Sequence, residues 1–199
     1  MLTQPDPFSE LRDTIAVMSN FPRPWLVAGG WALDLYLERV TRPHKDVDLA
    51  IFREDQLELQ RHFAGWRLDK AHSGTLTAWP EGEYLQLPLM EIWAWRPGTE
   101  RGDNQPDLEI LLDQRVAGEW RFRKQISIAR PLSLTCLRTE SGIPYLAPEI
   151  ALLYKSSHRR DEDEADFEVV RGALDEERKG WLKRALETYA PGHTWLGRL

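Results

Sequence analysis

Two aspartates separated by one apolar residue, Asp46-Val47-Asp48, follow closely on a Gly29-Gly30 pair, and together these residues are equipped for phosphate chemistry. Residues two apart on an extended strand share a face. The run Asp46-Val47-Asp48-Leu49-Ala50-Ile51-Phe52 therefore predicts a strand with both carboxylates on one side and Val47 and Leu49 on the other. Two like charges on a half-buried strand resist ionisation. A divalent cation removes that difficulty, and Mg²⁺ prefers a few carboxylates completed by phosphate and water. Upstream, Trp25–Ala28 is a short apolar run, and Trp31–Arg39 is amphipathic. A helix that opens on glycines turns its free N–H groups and positive dipole end towards an anion. Arg42, His44 and Lys45 add positive charge beside the acids.

The elements that must position these residues can be read from periodicity and punctuation. A helix is expected over 7–20 with Ser9 as its cap, then strand 25–28, helix 30–39 and strand 46–52. Residues 54–63 predict a second helix leading into a strand around 66–68. The turn-rich stretch 72–82 predicts a loop or short hairpin. A long strand is expected over 84–95, an exposed loop over 96–106, and strands at 107–112, 120–122 and 132–137. Pro148 and Glu149 open a helical region, with proline and an acid suited to a first turn. Sheet first and helices second is an α+β arrangement. The expected division is a domain over 1–143 and a helical region over 144–199.

The chain has 199 residues, 42% of them hydrophobic, which suffices for a core. No apolar run reaches membrane-spanning length, and no signal peptide opens the chain, so a cytoplasmic, non-membrane protein is expected. The single cysteine, Cys136, forms no internal disulfide and suits a reducing compartment. The histidines lack zinc-ligand spacing. A net charge of −6 argues against broad nucleic-acid binding and suits a polycationic small molecule.

Gly29-Gly30-Trp31-Ala32 followed by Thr41-Arg42-x-His44-x-Asp46-x-Asp48-Leu49 resembles the nucleotidyltransferase superfamily with the polymerase β-like palm. The similarity is strongest to the aminoglycoside 2″-adenylyltransferases and lincosamide nucleotidyltransferases. The resemblance implies a mixed sheet flanked by helices with a C-terminal helical region. It implies an enzyme that moves AMP from ATP, or another nucleotide from its triphosphate, onto a hydroxyl of a small molecule and releases pyrophosphate. An aminoglycoside-like antibiotic is the first acceptor expected, with a role in antibiotic resistance. Two Mg²⁺ ions are implied, held by Asp46, Asp48 and a third carboxylate on a later strand. Gly29, Gly30, Arg42 and His44 become the expected nucleotide-binding positions. Monomer and homodimer both remain open.

For the third carboxylate, Asp107-Leu108-Glu109-Ile110 offers two acids on one strand face. Asp107 fits the family pattern slightly better and is the expected third metal ligand, with Glu109 the other catalytic candidate and Glu91 a further option. In the helical half, Lys155 is expected to contact the triphosphate. Asp163 and Asp166 extend the apolar stripe of Phe167, Val170 and Leu174 and are expected to bind acceptor ammonium groups, although charge runs commonly form solvated helix faces. Trp31, Trp93 and Trp181 read as core, while Trp79 and Trp95 lie near loops. Two other readings stay open: a protein or RNA acceptor, and a non-catalytic member that only binds nucleotide.

Overall fold

The computed structural model of the chain describes residues 7–98, 105–158 and 160–199. After a 3₁₀ turn at Ser9–Leu11 and helix α1 (Arg12–Met18), strand β1 (Trp25–Val27) leads directly into helix α2 (Gly29–Leu37). Strand β2 (Asp48–Phe52), helix α3 (Gln56–His62), and strands β3 (Arg67–His72), β4 (Thr75–Ala78), β5 (Glu91–Trp95) and β6 (Leu108–Val116) follow. Next come β7 (Glu119–Arg121), β8 (Ala129–Pro131), the short helix α4 (Leu132–Thr135), β9 (Cys136–Arg138) and β10 (Pro144–Leu146). Helices α5 (Pro148–Lys155), α6 (Asp161–Arg171) and α7 (Glu176–Tyr189) complete the chain with a 3₁₀ turn at Thr194–Gly197.

The strands form one mixed sheet in the order β4-β3-β5-β6-β2-β1-β10-β9, with β7 and β8 continuing from β6. The two contacts that matter for the site are parallel: β2 beside β6, and β1 beside β10. The remaining pairings are antiparallel. Such a sheet, with helices packed on it, is the expected α+β architecture. The parallel strands β2 and β6 read as near-continuous apolar runs, Leu49 to Phe52 and Leu108 to Leu112, as sheets covered on both faces require.

Helix α2 lies at the centre. Trp31, Ala32, Leu33, Asp34 and Leu35 are all buried, so the helix is covered around its circumference rather than along one stripe. It stops at Glu38, which takes left-handed angles (φ 55°) and returns its N–H to Asp34 and Leu35 carbonyls. Helix α5 packs against both α2 and α7. A buried ionic cluster ties these helices to β8: Glu149, fully buried, accepts from Arg130 Nη2 at 2.6 Å and from Arg178 Nη1 at 2.8 Å. Both charges of the Arg130–Glu149 pair are taken from water, so the cluster depends on every partner being present.

Several local expectations are corrected. The long strand 84–95 shortens to β5, because Pro88 lacks the N–H a ladder needs. Residues 132–137 divide into α4 and the start of β9. The stretch 72–82 contains a true hairpin between β3 and β4, whose turn places Ser73 and Gly74 at positive φ (49° and 74°). Of the loop expected over 96–106, residues 99–104 lie outside the described residues. The expected division after residue 143 falls inside the β9–β10 hairpin, and β10 is hydrogen-bonded into the main sheet. Trp79 and Trp95, expected near loops, are buried at 5% and 4% exposure. Among the described residues no helix is long and apolar enough to cross a membrane.

Candidate active site

The diglycine positions the site by contact. Gly29 has φ +58°, a left-handed conformation that suits glycine. The Asp48 carboxylate occupies the space where a Cβ on Gly29 would stand. Gly30 is equally crowded: a Cβ there would lie 2.6 Å from His44 Nδ1 and 2.8 Å from Arg42 Nη2. The backbone closes the arrangement, since Ala28 N–H donates to Asp48 O at 2.8 Å.

The Thr41-Arg42-x-His44 segment is held from below by Asp34, which is fully buried in α2. Asp34 Oδ1 accepts from Thr41 N–H (3.1 Å) and Thr41 Oγ1 (2.6 Å), and Oδ2 pairs with His44 Nε2 at 2.6 Å. The His44 ring lies 4.4 Å from the Trp31 ring, whose Nε1 donates to Asp46 O at 3.2 Å. His44 thus supports the loop that carries Asp46.

Strand register sets one of the candidate acids directly beside Asp48. In the parallel β2–β6 pair, Asp48 stands opposite Glu109. Antiparallel β5 brings Trp93 opposite Glu109 and sets Glu91 beside the same cavity. Asp107, the expected third ligand, precedes β6, its Oδ2 accepts the Arg96 backbone N–H at 2.8 Å, and it is not among the residues lining the cavity. Asp46 also departs from the expected strand. It sits in the bend before β2 yet lines the same hollow as Asp48 and Glu109. Burial, reinforced by the Asp46 charge, pushes Asp48 up to about 6. Burial followed by the Asp48, Glu91 and Asp46 charges pushes Glu109 up to about 8.

The cavity consists of two adjoining hollows of about 240 and 200 Å³ that share Asp48, Glu109, Lys155 and Arg160. The first is walled by acids Asp48, Glu91 and Glu109, by cations Arg123, Lys124, Lys155 and Arg160, and by the His158 imidazole. The second is lined by Gly30, Arg42, His44, Lys45 and Asp46. Arg123, Lys124, His158 and Arg160 were not among the sequence candidates. Nothing in the polar run Arg121-Phe122-Arg123-Lys124-Gln125 links it to residue 48 except folding.

Asp163 and Asp166, expected to bind acceptor ammonium groups, pair with cations that line the cavity. Asp163 is 1% exposed and accepts from Lys155 Nζ at 2.9 Å and Arg160 Nε at 3.0 Å. Asp166 accepts from Arg42 Nε and Nη2, both at 2.9 Å, and from Lys155 Nζ at 2.9 Å. Burial alone would raise both acids, but the cationic hydrogen bonds win and hold them below the usual carboxylate range. Both acids are thus tied to internal cations and fix Arg42, Lys155 and Arg160.

Comparison with known proteins follows this geometry. Residues 10–92 match the family model of aminoglycoside-2″-adenylyltransferase. A search of curated proteins gave no match. Among solved structures, ANT(2″)-Ia in complex with adenylyl-2″-tobramycin superposes with a TM-score of 0.58 at 16% identity, covering 92% of this chain and 98% of that one. The lincosamide antibiotic adenylyltransferase LnuA, lincomycin-bound, gives a TM-score of 0.56 at 14% identity, covering 83% and 96%. The fold is the one these antibiotic nucleotidyltransferase structures share, a mixed sheet flanked by helices. Over residues 10–92 the chain is similar to the aminoglycoside 2″-adenylyltransferases.

Proposed function

We propose that this protein transfers AMP from ATP to a hydroxyl of a small, antibiotic-like molecule in a Mg²⁺-dependent reaction that releases pyrophosphate. The observation that carries the reading is the parallel pairing of Asp48 with Glu109 at the floor of a cavity whose other wall is cationic. The match to the 2″-adenylyltransferase model and the likeness to antibiotic-bound structures support an antibiotic-like acceptor.

The residues present suit magnesium. Asp48 and Glu109 are hard oxygen donors forced together, and both resist ionisation in the absence of a cation. Asp46 opens onto the same hollow and completes the acidic set. Among the described residues, no group of three or more ligand side chains is arranged to hold a metal. Mg²⁺ commonly draws the rest of its shell from substrate phosphates and water. When bound, the metal neutralises the triphosphate and polarises the transferred phosphoryl group.

The chain's own groups do the rest. Gly29 and Gly30 keep side chains out of the α2 start, so the Asp48 carboxylate can lie against the turn. Lys155, fixed by Asp163 and Asp166, presents an ammonium to both hollows. Arg42 and His44 line the second hollow, where they face the nucleotide. Glu109 takes the acceptor hydroxyl proton as its oxygen attacks the α-phosphorus, a role for which the sequence offered both Asp107 and Glu109.

The test is transfer of label from α-labelled ATP with Mg²⁺ to a panel of aminoglycosides and lincosamides, with the other triphosphates in parallel. A labelled acceptor is expected. Absence of transfer to every acceptor, together with absence of ATP binding, would overturn the reading.

A further inference from the structure

Glu91 lines two spaces at once. It stands in the acidic wall of the catalytic hollow and in the wall of a third hollow, of about 310 Å³, beside the β3–β4 hairpin. Residues 71–76 of the hairpin form one side of that hollow, and Pro88, Met90 and Trp93 form the other. Strand register fixes how near the two spaces lie. Trp93 pairs with Glu109 across β5 and β6, and Glu109 pairs with Asp48 across β6 and β2. Neighbouring strands are about 4.8 Å apart, so a molecule seated against Trp93 has its near end one strand from Glu109. Trp93 is half-buried, and its Nε1 donates to Glu91 Oε1 at 2.5 Å. That bond orients the carboxylate and leaves Oε2 uncommitted among the described residues.

The two spaces differ in charge. The catalytic hollow carries Arg123, Lys124, Lys155 and Arg160, which suit a triphosphate. The third hollow carries no lysine or arginine, and its ionisable side chains are Glu91 and His72 alone. The rest of its lining is Leu76, Pro88, Met90, Trp93 and small hairpin residues. Indole and thioether surfaces accept the apolar faces of a saturated ring. One carboxylate neutralises one ammonium, and a second ammonium in the same space would lose its water without gaining a counter-ion. Across the site, Glu162, Asp163, Glu164 and Asp166 of α6 are each already paired with arginine or lysine.

We propose that the hollow between the β3–β4 hairpin and Trp93 holds the body of the acceptor, and that it selects a largely apolar molecule with a single ammonium, bound by Glu91, over a polycation. The proposal rests on the nucleotidyl-transfer reading and names the acceptor class for that site. The acceptor hydroxyl then enters the catalytic hollow past Glu91, on the side away from the four cations that suit the donor.

Lincomycin, with a single amine on a frame rich in apolar surface, and tobramycin, with several amines, are the probes. Each is titrated calorimetrically, with Mg²⁺ and α,β-methylene-ATP, into the wild-type protein, Glu91→Gln and Thr75→Glu. The wild type should bind lincomycin about tenfold more tightly than tobramycin, the worth of one charged hydrogen bond. Glu91→Gln should lose about tenfold for lincomycin and keep the affinity for the nucleotide. A Glu91 that held metal instead would weaken the nucleotide as well, and that result overturns the proposal. Thr75 is exposed at the rim, so Thr75→Glu should fold and place a second carboxylate in the hollow. It should shift the preference towards tobramycin about threefold, as an exposed ion pair allows. Wild-type binding of tobramycin at least as tight as that of lincomycin, binding of neither probe, or an unchanged ratio in Thr75→Glu overturns the proposal. AMP transfer to tobramycin in that event leaves the functional reading standing, whereas absence of ATP binding and of all transfer overturns both.

Discussion

Gly29 and Asp48 compete for one volume: the carboxylate of Asp48 fills the place a side chain at position 29 would take. The diglycine and the acidic strand, separated by the whole of α2 and the loop after it, are thus one packed unit. Gly29→Ala should leave a folded protein, since a left-handed alanine costs about 1–2 kcal/mol. It should displace Asp48 and abolish transfer. Circular dichroism and a thermal melt would confirm folding, and labelled transfer at or near the wild-type rate would refute the steric coupling.

The opposition of Asp48 and Glu109 across β2 and β6 ranks the acids. Glu109→Gln is expected to slow turnover by about 10²–10⁴-fold, the usual worth of a positioned base. Asp107→Asn, whose carboxylate binds the Arg96 N–H, should keep nearly wild-type turnover. Single-turnover rates on the two variants decide, and the reverse order would return the base to Asp107.

Lys155 stands between Asp163 and Asp166 at 8% exposure. Lys155→Met would leave both acids short of their shared cation, and breaking a buried pair in this way costs about 3–5 kcal/mol. A fall in urea midpoint with an unchanged slope is expected, together with loss of ATP affinity. An unchanged midpoint would show that the pairs contribute nothing to stability.

Acid should act through the same network. Asp163 and Asp166 are held below their ordinary value of 3.8 in the folded state. The unfolded chain then binds more protons as pH falls through that range, so their stabilisation is present above pH 3.8 and is lost below it. Asp166→Asn should therefore flatten the stability profile below about pH 4 relative to wild type. Melts across that range would show it, and parallel profiles would exclude the role.

The strand, diglycine, helix and acidic strand were legible because each is local: an apolar run, two glycines and an alternation. Which of Asp107 and Glu109 stands beside Asp48 was not, because both lie on one alternation and only the register with β2 separates them. Asp163 and Asp166 were found as acids at the edge of a stripe, yet their partners Arg42 and Lys155 come from distant segments. Arg123 and Lys124 carried no local signal, since a polar turn with two cations is ordinary until folding sets it across from Asp48.

Strand β10 has a consequence for anyone dividing this chain. It lies between β1 and β9, hydrogen-bonded parallel to β1 through Val27 and Tyr145. A fragment stopping at residue 143 would strip that cover and leave β1, the strand that feeds the diglycine, as a bare apolar edge. Exposed edges of this kind recruit other chains. Such a fragment is expected to associate with other chains rather than act as a minimal catalyst.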